Sequence, residues 1–279
     1  MRFVDLAHTS RLVSDTSRRN EKIAAWSGFL AGVSTDEIPA AVAFGVGTSS
    51  HGRLGVGWAT LRDVRPAPAA EASLGIGEVD RVLGGLAGIA GAGSVERRRT
   101  VLDELLARAT EPEQEMIRAI IRGELRQGAL EGVMAAAVAK AAGVPIGLVQ
   151  RAAMFSGSLA TAAQLALAGG APALEAVELS PSQPIQPMLA SPAASVAEAL
   201  AASGPASVEW KLDGARIQVH RAAGEVSVFT RNLNDITARL GGVVDLVRTL
   251  PGGDLVLDGE VLGIDETGAP RRFQDTMGD

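Results

Sequence analysis

The chain of 279 residues carries a net charge of −6 at neutral pH, 47% apolar residues, 3% aromatic residues and no cysteine. That length allows two domains with cores of their own, and the missing cysteine excludes disulfides, thiolate metal sites and cysteine nucleophiles and fits a reducing cytoplasm. The negative balance argues against a broad basic footprint for nucleic acid, residues 1–180 being near neutral at −1 and residues 181–279 at −5.

Met1-Arg2-Phe3-Val4-Asp5 has neither the basic start nor the apolar core of a secretory signal, and the most apolar stretch, Val133 to Val149, is broken by Lys140 and Pro145. A soluble cytoplasmic protein with no membrane partner is expected. Gly45-Val46-Gly47 and Gly55-Val56-Gly57 lack the spacing of a phosphate loop and read as turns. His8, His51 and His220 stand singly, without metal-ligand spacing. Arg97-Arg98-Arg99 is a local basic cluster, although an ordinary solvated helix face fits it as well as a nucleic-acid face does.

Thr110 and Glu113 form a capping box, and Met116, Ile117, Ile120, Ile121 and Leu125 recur behind it at helical spacing. Arg118, Arg122 and Arg126 follow one another every fourth residue on the other face, a stripe able to lie along phosphates or simply to face solvent. A further helix spans Leu130 to Ala142 and stops at Gly143 with Pro145 beyond. Between Ala168 and Pro192 the chain turns rich in Gly, Pro and Ser, which places a junction there: a helical domain over 1–180 and a second domain over 181–279.

From Ser207 the apolar residues alternate or run in short β-branched stretches, predicting a mixed sheet. Ser207 to His220 reads as strand, tight turn, strand, with Lys211-Leu212-Asp213-Gly214-Ala215-Arg216 at the turn. A lysine there can be aimed at a bound phosphate, and Gly214 lets the backbone bend and approach a ligand. From the hexamer alone a hairpin with a charged tip is the alternative reading, since Asp-Gly is the commonest short hairpin signal. Phe229 to Thr237 then closes a second strand on Arg231-Asn232, and Asp254 to Gly263 reads as a buried strand carrying Asp258 and Glu260.

Lys211-Leu212-Asp213-Gly214-Ala215-Arg216 resembles the nucleophile motif of the covalent nucleotidyltransferases, and the segments around Arg231 and Glu260 look like the next two motifs of the ATP-dependent DNA ligases, in order and at similar spacing. Pro184-Ile185-Gln186-Pro187-Met188-Leu189-Ala190 is similar to the segment by which such ligases enter their catalytic domain. Thr9-Ser10-Arg11 with Lys22, Gly52 to Trp58, and Ile121 to Gly128 resemble their helical DNA-binding domain, above all in actinobacterial members. RNA ligases and capping enzymes share the nucleophile motif but lack such a helical domain in front.

The resemblance implies an α plus α/β multidomain architecture, with an all-helical DNA-binding domain over 1–180 followed by part of a mixed-sheet adenylation domain over 181–279. It implies an enzyme that seals nicks in duplex DNA, with ATP and Mg²⁺, as a monomer. Lys211 would be the nucleophile; Glu209, Lys211, Arg216, Arg231 and Glu260 would hold the nucleotide, and Glu260 would also hold the metal. Arg118, Arg122 and Arg126 would meet DNA. Asp213 is assigned to shaping the turn, and Asp258 is left open between structure and chemistry. The same resemblance implies that the chain stops inside the adenylation domain, before an adenine-stacking aromatic, the later Glu-Gly and Lys-x-Lys motifs and an OB-fold, so that it would bind DNA without sealing it. A non-catalytic nucleic-acid-binding module is the alternative from another class.

Overall fold

The computed structural model describes residues 1–52, 54–125, 130–181, 183–187, 191–267 and 270. They divide into two compact units, Met1–Glu178 and Leu179–Asp279. Among the described residues no single helix is long and apolar enough to cross a membrane.

The first unit is helical throughout: α1 (Phe3–Asp15), α2 (Arg19–Leu30), α3 (Ile38–Gly45), α4 (Trp58–Asp63), α5 (Ile76–Gly88), α6 (Ser94–Ala107), α7 (Glu111–Arg122), α8 (Leu130–Ala142), α9 (Ile146–Ser156) and α10 (Leu159–Glu175). Small residues let these helices approach closely, and the core is filled by a few large side chains among many alanines, with Phe3 set edge-on against Phe44 and Trp26 against Phe29, each pair at 5.8 Å. Helix α10 breaks at Gly170, which adopts a positive φ just before Pro172.

Helix α7 shows how the sequence sets its own boundaries. The Glu113 carboxylate accepts the Thr110 main-chain N–H at 2.8 Å, closing half of the capping box, and Gly123 ends the helix in the left-handed conformation. Leu125 therefore lies beyond the helix, packed against the core from the following segment. Helix α8 has the bounds expected from its stop signal, with Gly143 at φ +66° just after it.

The second unit opens with α11 (Val196–Ser203), capped by the Ser195 hydroxyl, which accepts from the Glu198 N–H. Three strands follow, β1 (Ala215–Ala222), β2 (Glu225–Thr230) and β3 (Leu255–Val261), with α12 (Gly241–Thr249) between the last two. The order is β2-β1-β3, and both pairings are antiparallel. β1 and β2 are joined by the two-residue turn Ala223-Gly224, both at positive φ, whose twist suits a hairpin.

The pleat of β1 separates two faces. Ile217 and Val219 point to one, where with Val226 and Val228 of β2 they meet Val244 and Val247 of α12. Arg221 shares that face and is buried, its guanidinium donating to the carbonyls of Val247, Leu250, Gly252 and Gly253 at 2.7–3.0 Å. It closes the end of α12 and the Pro251-Gly252-Gly253 turn. On the other face lie Arg216, Gln218 and His220.

Two expectations are corrected. Ser207 to Leu212 forms no strand: a strand needs a ladder, both edges of β1 are taken by β2 and β3, and Val208 and Trp210 stand 84% and 93% exposed. Among the described residues β3 is an edge strand whose Leu257 to Glu260 are exposed, so there it is not the buried strand its apolar residues suggested.

Candidate active site

The polar face of β1 is organised by side chains that anchor the chain entering the unit. The Gln218 amide exchanges hydrogen bonds with both main-chain groups of Ile185, its Oε1 accepting the N–H at 2.9 Å. Buried His220 bridges the Pro181 carbonyl at 3.0 Å and Gln218 Oε1 at 3.2 Å, edge-on to Phe229. Burial pushes its pKa down, the hydrogen bond to Pro181 opposing. Histidine 220 is thus a core residue, and among the described residues no group of three or more His, Asp or Glu is placed to hold a metal.

At the open end of the same face the acidic and basic motif residues meet. Register sets Arg216 opposite Glu260 and Gln218 opposite Asp258. Arg216 forms a two-point pair with Asp258, Nε to Oδ1 at 3.0 Å and Nη2 to Oδ2 at 2.7 Å. The guanidinium holds Asp258 below the usual carboxylate range, its hydrogen bond being the largest cause. Glu260 Oε1 accepts the Gly214 main-chain N–H at 3.0 Å. A Cβ on Gly214 would fall against the Val261 carbonyl and 2.8 Å from Glu260 Cγ, so the glycine is needed for close approach to β3, where the sequence suggested approach to a ligand.

Lys211, Glu209 and Asp213 lie exposed in the irregular segment before β1, with Glu209 Oε1 accepting from the Ser207 hydroxyl at 3.0 Å. Arg231 and Asn232 sit at a tight turn after β2, exposed. Leu233 beside them is held at φ +60°, an uncommon conformation for an L residue, by hydrogen bonds from Leu233 N to Thr230 O and from Thr230 N to Asn234 O. Asp235 takes the N–H and hydroxyl of Thr237, which lower its pKa and fix the return of this loop. A left-handed leucine has no signal in the sequence, nor does the choice of Asp258 over Glu260 as the partner of Arg216.

In the helical unit one member of the predicted basic stripe leaves it. Arg118 turns inward, donating to the carbonyls of Leu61 and Val64 at 2.7 Å each, and burial lowers its pKa with help from the charges of Arg65 and Arg122. It closes the C-terminal end of α4, whose carbonyls lack helical partners. Arg122 pairs with Glu124 at 2.8 Å, and Arg126 lies outside the described residues. Arg97 likewise donates to the Ala90 and Ala92 carbonyls, and Arg98 to those of Leu86 and Ile89, so these arginines stitch a loop as well as facing water.

Comparison with known proteins agrees with this layout. The family model of the DNA ligase N terminus matches residues 59–139, and that of the ATP dependent DNA ligase domain matches residues 187–279. A probable DNA ligase of Saccharopolyspora erythraea is 49% identical over 274 residues, covering 98% of this chain and 54% of that protein. One from Nocardia farcinica is 48% identical over 278 residues, covering 99% and 53%. The chain therefore spans about half the length of the curated relatives it matches. Among solved structures, Pmar-Lig_Pre. superposes with a TM-score of 0.51 at 16% identity over 98% of this chain and 52% of that one, a likeness of fold.

Proposed function

Because the chain belongs to the ATP-dependent DNA ligase family, we propose that it serves the sealing of nicks in duplex DNA through an adenylate carried on Lys211. The observation that carries the reading is the meeting of Gly214 and Glu260, which joins two motifs 46 residues apart within three residues of Lys211.

In the first step the neutral Lys211 amine attacks the α-phosphorus of ATP. A P–N bond forms, the P–O bond to pyrophosphate breaks, and the amine gives up its proton. Glu209, two residues before the nucleophile, is assigned to accept a hydrogen bond from the adenine amino group. Arg231 and Arg216 face the ribose and phosphates; Asp258 occupies two of the donors of Arg216 and holds its plane for the rest. AMP then passes to the 5′-phosphate of the nick, and the 3′-hydroxyl displaces it, both in-line transfers that rest on positioning and charge neutralisation.

Magnesium fits the site as an ion shared with substrate. Glu260 is an exposed carboxylate of which one oxygen bonds Gly214, and Mg²⁺ commonly takes one or two carboxylates together with substrate phosphates and water. Bound there it would neutralise phosphate charge. The helical unit is assigned to duplex DNA, with Arg122 and Arg126 among the contacts, and the proposal places the protein in the cytoplasm, acting as a monomer.

The test is incubation with α-labelled ATP and Mg²⁺, denaturing electrophoresis, and mass spectrometry of the labelled chain. Label is expected on Lys211 and absent from Lys211→Ala. Only Lys22 and Lys140 could otherwise carry it, and label on either, or label surviving in Lys211→Ala, overturns the assignment.

A further inference from the structure

The helical unit holds a second basic site that the arginine stripe of α7 does not describe. A cavity of about 370 Å³ is lined by Trp58, Leu61, Arg62, Arg65, Gln114, Arg118 and Arg122, drawn from α4, the segment after it and α7, and among the described residues no acidic side chain lines it. The acidic partners are outside: Asp63 pairs Arg62 and Glu124 pairs Arg122, both as exposed pairs that cost little to exchange. Arg65 has its Nε on the Arg62 carbonyl at 2.9 Å, with the charge of Asp63 nearby, and Arg118 is fixed by the Leu61 and Val64 carbonyls, so among the described residues neither is in a contact ion pair with a carboxylate.

Four guanidinium groups around one cavity repel one another, and the exposed carboxylates of Asp63 and Glu124 offset only part of that, so an entering anion is favoured. Arginine forks match the paired oxygens of phosphate, and two of these four are held in place by main-chain carbonyls before any ligand arrives. At the rim, Trp58 is 66% exposed with the Arg62 guanidinium 4.9 Å above its ring, a flat apolar platform beside the charges. Aromatic platforms next to basic grooves suit sugar and base faces of a strand whose phosphates the arginines bind.

We propose that this cavity is a phosphodiester site, in which Arg62, Arg65 and Arg122 take one backbone phosphate of a nucleic-acid strand and Trp58 packs against the adjoining nucleotide. That the strand is duplex DNA rests on the function proposed above.

The experiment measures binding of the 279-residue chain to a fluorescent nicked duplex by anisotropy across a salt series, for wild type, Arg62→Ala/Arg65→Ala, Trp58→Ala and the distant control Arg248→Ala. Losing one phosphate contact should make the slope of log K against log salt shallower by about one and weaken binding about tenfold near 0.1 M salt. Trp58→Ala should weaken binding without changing that slope, and the control should match wild type. Should the double variant fail to fold by circular dichroism, Arg62→Gln, at an exposed position, gives the same slope reading. Unchanged slope and affinity in a folded variant overturn the cavity while leaving the function standing; wild type that fails to bind the duplex overturns both. A parallel calorimetric titration uses pyrophosphate. Pyrophosphate binding that the double variant loses, with duplex binding intact, assigns the cavity to a free anion and overturns the strand site.

Discussion

Arg216 and Asp258 face each other across β1 and β3 in a two-point ion pair, with contacts of 3.0 and 2.7 Å. The lowered pKa of Asp258 gives the pair a defined pH window. Its stabilisation is complete above the unfolded aspartate value of about 3.9 and is lost as pH falls through the lower folded value. Both side chains are partly exposed, so the contribution is no more than about 1 kcal/mol. Asp258→Asn should therefore melt slightly below wild type at pH 7, and the gap should narrow as the pH falls below the ordinary aspartate range. A gap that persists in acid would mean that Asp258 acts through packing, with its charge irrelevant.

Arg221 is the larger stability term of the second unit. It is buried, among the described residues its guanidinium has no carboxylate partner, and its donors close the end of α12 and the turn that leads into β3. Arg221→Met would leave several carbonyls without a donor, at a cost of about 1–3 kcal/mol for each buried group left unsatisfied. Arg221→Lys restores charge but not the fork, and is expected to recover less than half. Hydrogen exchange over β1 and β3 measures both, with the helices of the first unit as internal reference. Equal protection in Arg221→Met and wild type would refute the assignment.

What the sequence discloses depends on how locally each feature is determined. Thr110 with Glu113, the bounds of α8 and the exit of β2 at Arg231 were legible because each follows from a few neighbouring residues. Ser207 to Leu212 was misread because alternation marks a strand only where a ladder partner exists, and the partner is set by the whole sheet. Arg118 was misread in another way, since spacing gives direction from the helix axis but not what stands there. The carbonyls of Leu61 and Val64 stand beside Arg118 through a contact more than fifty residues long in sequence. The grouping of Trp58, Arg62 and Arg65 with α7 has the same cause. The pairing of Arg216 with Asp258 and of Gly214 with Glu260 needed the register of β1 on β3, which no local pattern fixes.

Arg118 offers a way to separate structure from charge. Arg118→Lys keeps the positive charge but cannot donate to both the Leu61 and Val64 carbonyls in one plane. It should lower the stability of the helical unit by about 1–3 kcal/mol, the cost of an unsatisfied buried carbonyl, while the salt slope of DNA binding stays near that of wild type. Chemical denaturation followed at the α4–α7 segment, together with the anisotropy series, checks both. A changed slope with unchanged stability would return Arg118 to the DNA-contacting residues.

Gly214 tests whether the meeting of the two motifs serves the chemistry. An added Cβ would lie 2.6 Å from Leu262 Cδ2 and 2.8 Å from Glu260 Cγ, and against the Val261 carbonyl. The two side chains can rotate away; the carbonyl, at the end of the β3 ladder, cannot. Gly214→Ala must therefore push the start of β1 from β3, lengthening the Gly214 to Glu260 hydrogen bond and shifting Lys211, three residues upstream, relative to Glu260. A misplacement of about 1 Å costs on the order of 100-fold in a positioned reaction, so lysine adenylation should fall by about that factor. Gly259→Ala, whose Cβ meets nothing within 4 Å, is the control and should adenylate normally. Both variants should keep the helical circular dichroism of the first unit. Adenylation of Gly214→Ala at the wild-type rate would show that the contact between the motifs is dispensable for the chemistry at Lys211.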